Sequence, residues 1–127
     1  MACTGSKTIP TTGTGSDTYS FGFRFGSVSI LALQRAYNAA CANLEAKNAA
    51  AAKTVCTGLC SAGCKCSIQI DNNGGPLMLS ELLGAYILGS SGVPGAAGAD
   101  HASTGIFGGR WTVMVAGSVS ATCEDDG

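Results

Sequence analysis

Charge is scarce in this sequence. Charged residues make up 12% of the 127-residue chain, against about 25% in an ordinary soluble domain. Seven basic residues face eight acidic ones, so the net charge is close to zero. No basic stripe is left to neutralise phosphates, which argues against nucleic acid as the main partner. Long apolar runs are also missing. The most apolar stretch, PLMLSELLGAYILG at 76–89, carries Glu81 and is too short to cross a bilayer. No membrane partner is expected. The opening stretch, MACTGSKTIPTTGTGSD, lacks the apolar core of a secretory signal. The expected setting is therefore synthesis in a cytoplasm, followed by work there or in a virion.

Histidine is nearly absent. The one copy, His101, follows Asp100 in a Gly/Ala-rich stretch. An Asp-His neighbour pair rarely forms a working general base, and the reading is a solvated loop histidine. The acids Glu45, Asp71 and Glu81 fall on separate predicted elements. HExxH, a P-loop and a GxGxxG after a strand are all missing. No catalytic residue, cofactor or small-molecule substrate is expected, and the protein is read as a non-enzyme.

Cysteine is present in number. Seven cysteines include four within CTGLCSAGCKC, residues 56–66. A chain of this length can build a core without staples, so the cysteines need another reason. Their spacing, C-x3-C-x3-C-x-C, departs from the paired short knuckles of structural zinc sites. It also lacks the C-x-x-C of a thioredoxin-like redox site. An odd count leaves at least one cysteine outside intrachain pairing. Cys41 falls on a helical apolar stripe and reads as a small core residue. Cys3, Cys56, Cys60, Cys64, Cys66 and Cys123 remain as candidates for disulfides or cross-links between subunits. The alternative is a zinc or iron–sulfur site at Cys56, Cys60, Cys64 and Cys66.

Local patterns set the expected order of elements. Residues 1–17 are mostly Thr, Gly and Ser with one Pro and read as a flexible arm. Residues 18–26, TYSFGFRFG, alternate with a period of two. They predict a strand whose Tyr19, Phe21, Phe23 and Phe25 face a core. Residues 27–57 predict one long helix, capped by Ser27 or Ser29, with a stripe through Ile30, Leu33, Tyr37, Cys41, Leu44, Ala51 and Val55. Lys53 suits its last turn and Gly58 its end. A strand at 66–71 follows, then an NNGG turn at 72–75. A short helix from Pro76 carries Leu79, Leu82, Leu83, Tyr86 and Ile87. Residues 89–109 read as a long Gly/Ala loop. The final strand, 110–123, turns Trp111, Val113, Val115, Val119 and Cys123 to one face.

The expected fold is α+β: a small, mostly antiparallel sheet packed against one long and one short helix. One domain at 18–123 lies between the arm and an acidic tail at 124–127. Few charges, a Gly/Ala/Ser/Thr surface and two flexible segments suit a surface that neighbours cover at low desolvation cost. The expected function is a structural, self-associating subunit, most concretely a virion head cement, decoration or coat protein. Its partners would be copies of itself or other subunits of the same assembly. The alternative is a small cytoplasmic metal-binding module built on the cysteine cluster.

Overall fold

A computed structural model describes residues 3–71 and 98–125. The elements run β1 (Ser6–Ser20), α1 (Ser27–Thr54), β2 (Cys64–Asp71), β3 (Gly98–Ser103) and β4 (Gly108–Asp125). The four strands form one antiparallel sheet around β4. Along one edge of β4, β1 pairs over its whole length, from Ser6 opposite Thr122 to Ser20 opposite Gly108. The other edge is shared. β2 takes Ser118 to Asp125, and β3 takes Gly109 to Met114. Helix α1 packs on one face, mainly across β1 and β4. This is an α+β fold with a sheet on a helix. The expected NNGG turn, the short helix from Pro76 and the 89–97 part of the expected loop lie outside the described residues.

β4 forms as its alternation predicts. Trp111, Val113, Val115, Val119, Ala121 and Cys123 are buried beneath the helix. Each fully buried Val is worth about 1.5–3 kcal/mol relative to exposure. Thr112, Met114, Ser118, Ser120 and Thr122 share the opposite face.

β1 departs from expectation. Residues 6–17, read as part of an arm, belong to a 15-residue strand. The physical reason lies in its inner positions. A Cβ on Gly13 would stand 2.4 Å from the Ala40 carbonyl oxygen and 2.5 Å from the Leu44 nitrogen. One on Gly15 would stand 2.3 Å from the Ala40 nitrogen. The helix backbone therefore rests almost directly on the strand backbone, and only glycine fits between them. The outer positions, Thr8, Thr12, Thr14, Ser16 and Thr18, are exposed hydroxyls. Between Ile9 and Tyr19 the inner face carries no bulk, so the strand shows no continuous apolar period.

The helix turns a matching face. Its buried residues are Ser29, Ala32, Leu33, Ala36, Tyr37, Ala40, Leu44 and Asn48. Ala36 and Ala40 are what let the two backbones approach. Asn48, like Ser29, is a buried polar residue of this face, and buried polar groups need partners. Its side chain accepts from the Thr11 hydroxyl and donates to the Asp71 carbonyl at 3.4 Å, joining β1, α1 and β2. Cys41 is half-buried against the main core cluster.

Both helix ends differ in detail from the sequence reading. Gly26 occupies the N-cap without a side-chain cap, and Val55 is the C-cap. Ser29 is spent elsewhere, as described below. Gly58 lies beyond the helix in a left-handed turn. Glu124 and Asp125, expected in a tail, extend β4 opposite Lys65 and Cys64.

Candidate functional site at the aromatic end of the sheet

The antiparallel register gives the molecule two unlike ends. One gathers the start of β1, the start of β2 and the end of β4. All six candidate cysteines meet there. Cys3 is bonded to Cys64, Cys56 to Cys66 and Cys60 to Cys123, with Cα separations of 5.7, 6.2 and 5.6 Å. These separations fall in the ordinary disulfide range. The pairs lie within one chain. The four sulfurs of the metal-site alternative are thus bonded in three separate bridges. Among the described residues, no group of three or more His, Cys, Asp or Glu is placed to hold a metal ion. Nor is any described helix long and apolar enough to cross a membrane.

The opposite end gathers the end of β1, the end of β3 and the start of β4. Two loops project from it. In the first, residues 21–25, the expected strand does not form. Phe21 breaks it by taking a left-handed backbone, φ 58°, which costs a bulky L-residue about 1–2 kcal/mol. A turn closed by Gly26 N–H donating to the Phe23 carbonyl at 2.9 Å then leads into the helix. The expectation that Phe21, Phe23 and Phe25 face the core is corrected. Phe21 is 89% exposed and Phe23 75%. Phe25 is more than half exposed. Tyr19, still on β1, is buried as expected.

The second loop, 104–107, adds Ile106 at 94% exposure and Phe107 at 56%. Phe107 meets Phe23 edge to face, with centroids 5.9 Å apart. Val28 and Leu31, in the first turns of α1, are also about half exposed. Monomeric proteins rarely leave contiguous apolar surface of this kind uncovered.

Beneath the loops sits a fixed polar-aromatic floor. The histidine read as a solvated loop residue belongs to β3 and is half-buried. Its Nε2 shares a 2.6 Å hydrogen bond with the Tyr19 hydroxyl. Its ring meets Trp111 edge-on at 4.8 Å. Gly109 makes room for it, since a Cβ there would lie 2.4 Å from Nε2. The Trp111 indole N–H donates to the Ser29 hydroxyl at 2.8 Å, and that hydroxyl donates to the Arg24 carbonyl. Ser29 therefore ties the loop to the core instead of capping the helix. A cavity of about 320 Å³ opens above this floor, lined by Tyr19, Phe23, Arg24, His101, Ser103 and Phe107 among others.

Burial, and then the positive charge of Arg24, holds the His101 imidazole below its ordinary pKa. The sign of the pH effect follows. Below about pH 6.5 the unfolded chain takes a proton that the folded one refuses. Stability is therefore expected to fall as pH drops from about 6.5 towards the lower folded pKa, and to level off beyond it. His101→Gln should flatten this slope. Urea midpoints at about pH 7.5 and about pH 5 for both proteins check it; equal slopes would refute it.

The sequence did not reveal this end. Gly22 and Gly26, interleaved with the phenylalanines, were the available signal that the alternation belongs to a loop. No protein-family model matches the chain, and neither a curated protein nor a solved structure matches it.

Proposed function

We propose that the protein is a structural, self-associating subunit, and that the aromatic end is its contact surface. The observation that carries this reading is the exposure of Phe21, Phe23, Phe25, Ile106 and Phe107 on two adjacent loops. A chain with so few charges has little to repel a neighbour there. Covering large aromatic side chains supplies much of the binding energy in protein contacts. The bonded cysteines are paired inside the chain, so association through this end is non-covalent.

The three disulfides suit oxidising surroundings, such as the surface of a virion or a cell, better than a reducing cytoplasm. The most concrete form of the proposal is a decoration or head cement protein on a virion. The disulfide end would give each subunit rigidity, and the aromatic end would provide adhesion.

Sedimentation equilibrium tests the reading. The wild type is expected to self-associate reversibly below about 100 µM. The double variant Phe21→Ser/Phe23→Ser should remain a monomer with an unchanged melting temperature, because neither side chain is part of the core. A wild type that stays monomeric throughout that range would sink the proposal, as would a double variant that associates equally well.

A further inference from the structure

At the cysteine end the strand register permits a second pairing. Cys66 and Cys123 stand directly opposite each other on β2 and β4, with side chains on the same face. The Cys123 N–H donates to the Gly5 carbonyl at 2.9 Å. The Cys123 backbone therefore bonds towards β1 and forms a non-hydrogen-bonded pair with Cys66 on its other side. That is the closer kind of pair in an antiparallel ladder, with Cα atoms about 4.5 Å apart. A disulfide spans about 4.4–6.8 Å, so these two could bond to each other. Each is bonded elsewhere, Cys66 to Cys56 and Cys123 to Cys60. Those partners are neighbours as well. Cys56 opens a turn closed by the Leu59 N–H donating to its carbonyl at 3.1 Å, and Cys60 follows Leu59 directly. Two bridges thus run side by side from the helix exit to the sheet.

We propose that this end is a thiol-exchange site, at which a small monothiol of the glutathione type converts the two bridges into Cys66–Cys123 and Cys56–Cys60. Each step is the attack of a thiolate on a disulfide sulfur. The small thiolate attacks the Cys60 sulfur, forms a mixed disulfide there and releases the Cys123 thiolate. Entry is at Cys60 because that residue is half-buried, whereas Cys123 is 5% exposed. The Cys123 thiolate then attacks Cys66 across the strand pair, forms Cys66–Cys123 and releases the Cys56 thiolate. Cys56 attacks Cys60, forms Cys56–Cys60 and releases the small thiolate. Two protein disulfides break and two form. There is no net oxidation, and the small thiol leaves as it came. In the first pairing both bridges tie the helix exit to the sheet. In the second, one bridge lies within the sheet and the other within the exit, so the segment 55–63 is no longer bonded to β2 or β4 through Cys56 and Cys60. Cys3–Cys64 takes no part. The proposal does not depend on self-association, since the exchange takes place within a single chain.

Disulfide mapping tests it on the wild-type protein, held folded in millimolar reduced glutathione. Free thiols are then blocked with N-ethylmaleimide, and the unreduced chain is unfolded and cut with trypsin. Cleavage after Lys7, Lys53, Lys65 and Arg110 places the six bonded cysteines on the peptides 1–7, 54–65, 66–110 and 111–127. The first pairing holds these peptides in one unit. The exchanged pairing divides them in two, 66–110 with 111–127 and 1–7 with 54–65. The divided form is expected in about 1–10% of chains, as for a minor folded state. Division in fewer than about 0.1% of chains would overturn the proposal. So would products spread over the other pairings that six cysteines allow, because these report random reoxidation of unfolded chains. Cys56→Ala/Cys60→Ala, refolded in a glutathione redox buffer, is the second check. There Cys66 and Cys123 should bond to each other and take up no N-ethylmaleimide. Free thiols at both positions in the folded variant, as judged by circular dichroism, would refute the exchange. None of these results bears on the sedimentation outcome, so the two readings fail separately.

Discussion

Gly15→Ala is expected to destabilise the fold by about 3–5 kcal/mol, enough to leave much of the protein unfolded. In an ordinary strand the same change helps, because alanine loses about 0.5–1 kcal/mol less backbone entropy than glycine. Here the local geometry reverses the sign. The added methyl would sit 2.3 Å from the Ala40 nitrogen and 2.4 Å from the Ala36 carbonyl oxygen. Both are helix backbone atoms and cannot rotate away. The helix must lift off β1, which loosens the packing of Leu33, Ala36, Ala40 and Leu44 against the sheet. Overpacking of even flexible cores costs about 1–3 kcal/mol, and a backbone-on-backbone contact has less slack. Gly13→Ala should behave alike, with Ala40 oxygen at 2.4 Å. Gly105→Ala is the control, since its nearest obstacle is the Phe107 oxygen at 3.9 Å. Urea unfolding followed by circular dichroism separates the three. A Gly15→Ala midpoint equal to that of Gly105→Ala would mean that the close helix–strand contact is wrong.

Loss of the Cys60–Cys123 bridge should cost about 4 kcal/mol, and loss of Cys56–Cys66 about 2.5 kcal/mol. The first pair is 63 residues apart in sequence and the second 10. In the chain-entropy account the longer loop restricts the unfolded state more. Packing points the same way, since Cys123, on the central strand, is 5% exposed whereas Cys66 lies half-buried on β2. Paired Cys→Ala variants, one bridge at a time, provide the comparison. For a chain of this length the larger loss corresponds to a drop in Tm on the order of 15 °C. The opposite ranking in urea midpoints would show that strain or residual unfolded structure, not loop length, governs these bridges.

The two mutations probe parts of the fold that were unequally legible. The central strand was plain because it carries bulk on one side only: Trp111, Val113, Val115 and Val119 alternate with hydroxyls and face a helix. The long helix was plain because its stripe repeats at three and four residues. β1 was not, because the same helix lies so close that its inner face is reduced to Gly13 and Gly15 beside Thr11 and Asp17. Asp17 is not an error in that pattern; it pairs with Arg35 on the helix at a partly open position. TYSFGFRFG misled in the opposite sense. Its alternation is that of a strand, yet β1 stops at Ser20 and the phenylalanines enter solvent. Period alone reports which side chains share a side, not whether anything covers that side.

The same division runs through the candidate site. Composition by itself determined a chain poor in charge, with one domain's worth of residues, a long helix and an alternating final strand. It also singled out Cys41 from the six other cysteines, because a helical stripe is a local property. Only the tertiary structure decided which cysteine meets which, since Cys60 and Cys123 are brought together by the β4 register and not by spacing. Only it could seat His101 between Trp111 and Tyr19, the latter 82 residues away in sequence, over a glycine that leaves room for the ring. Local periodicity is encoded by near neighbours. Pairing, close approach and exposure depend on how distant segments share one space, and no short stretch of sequence carries that information.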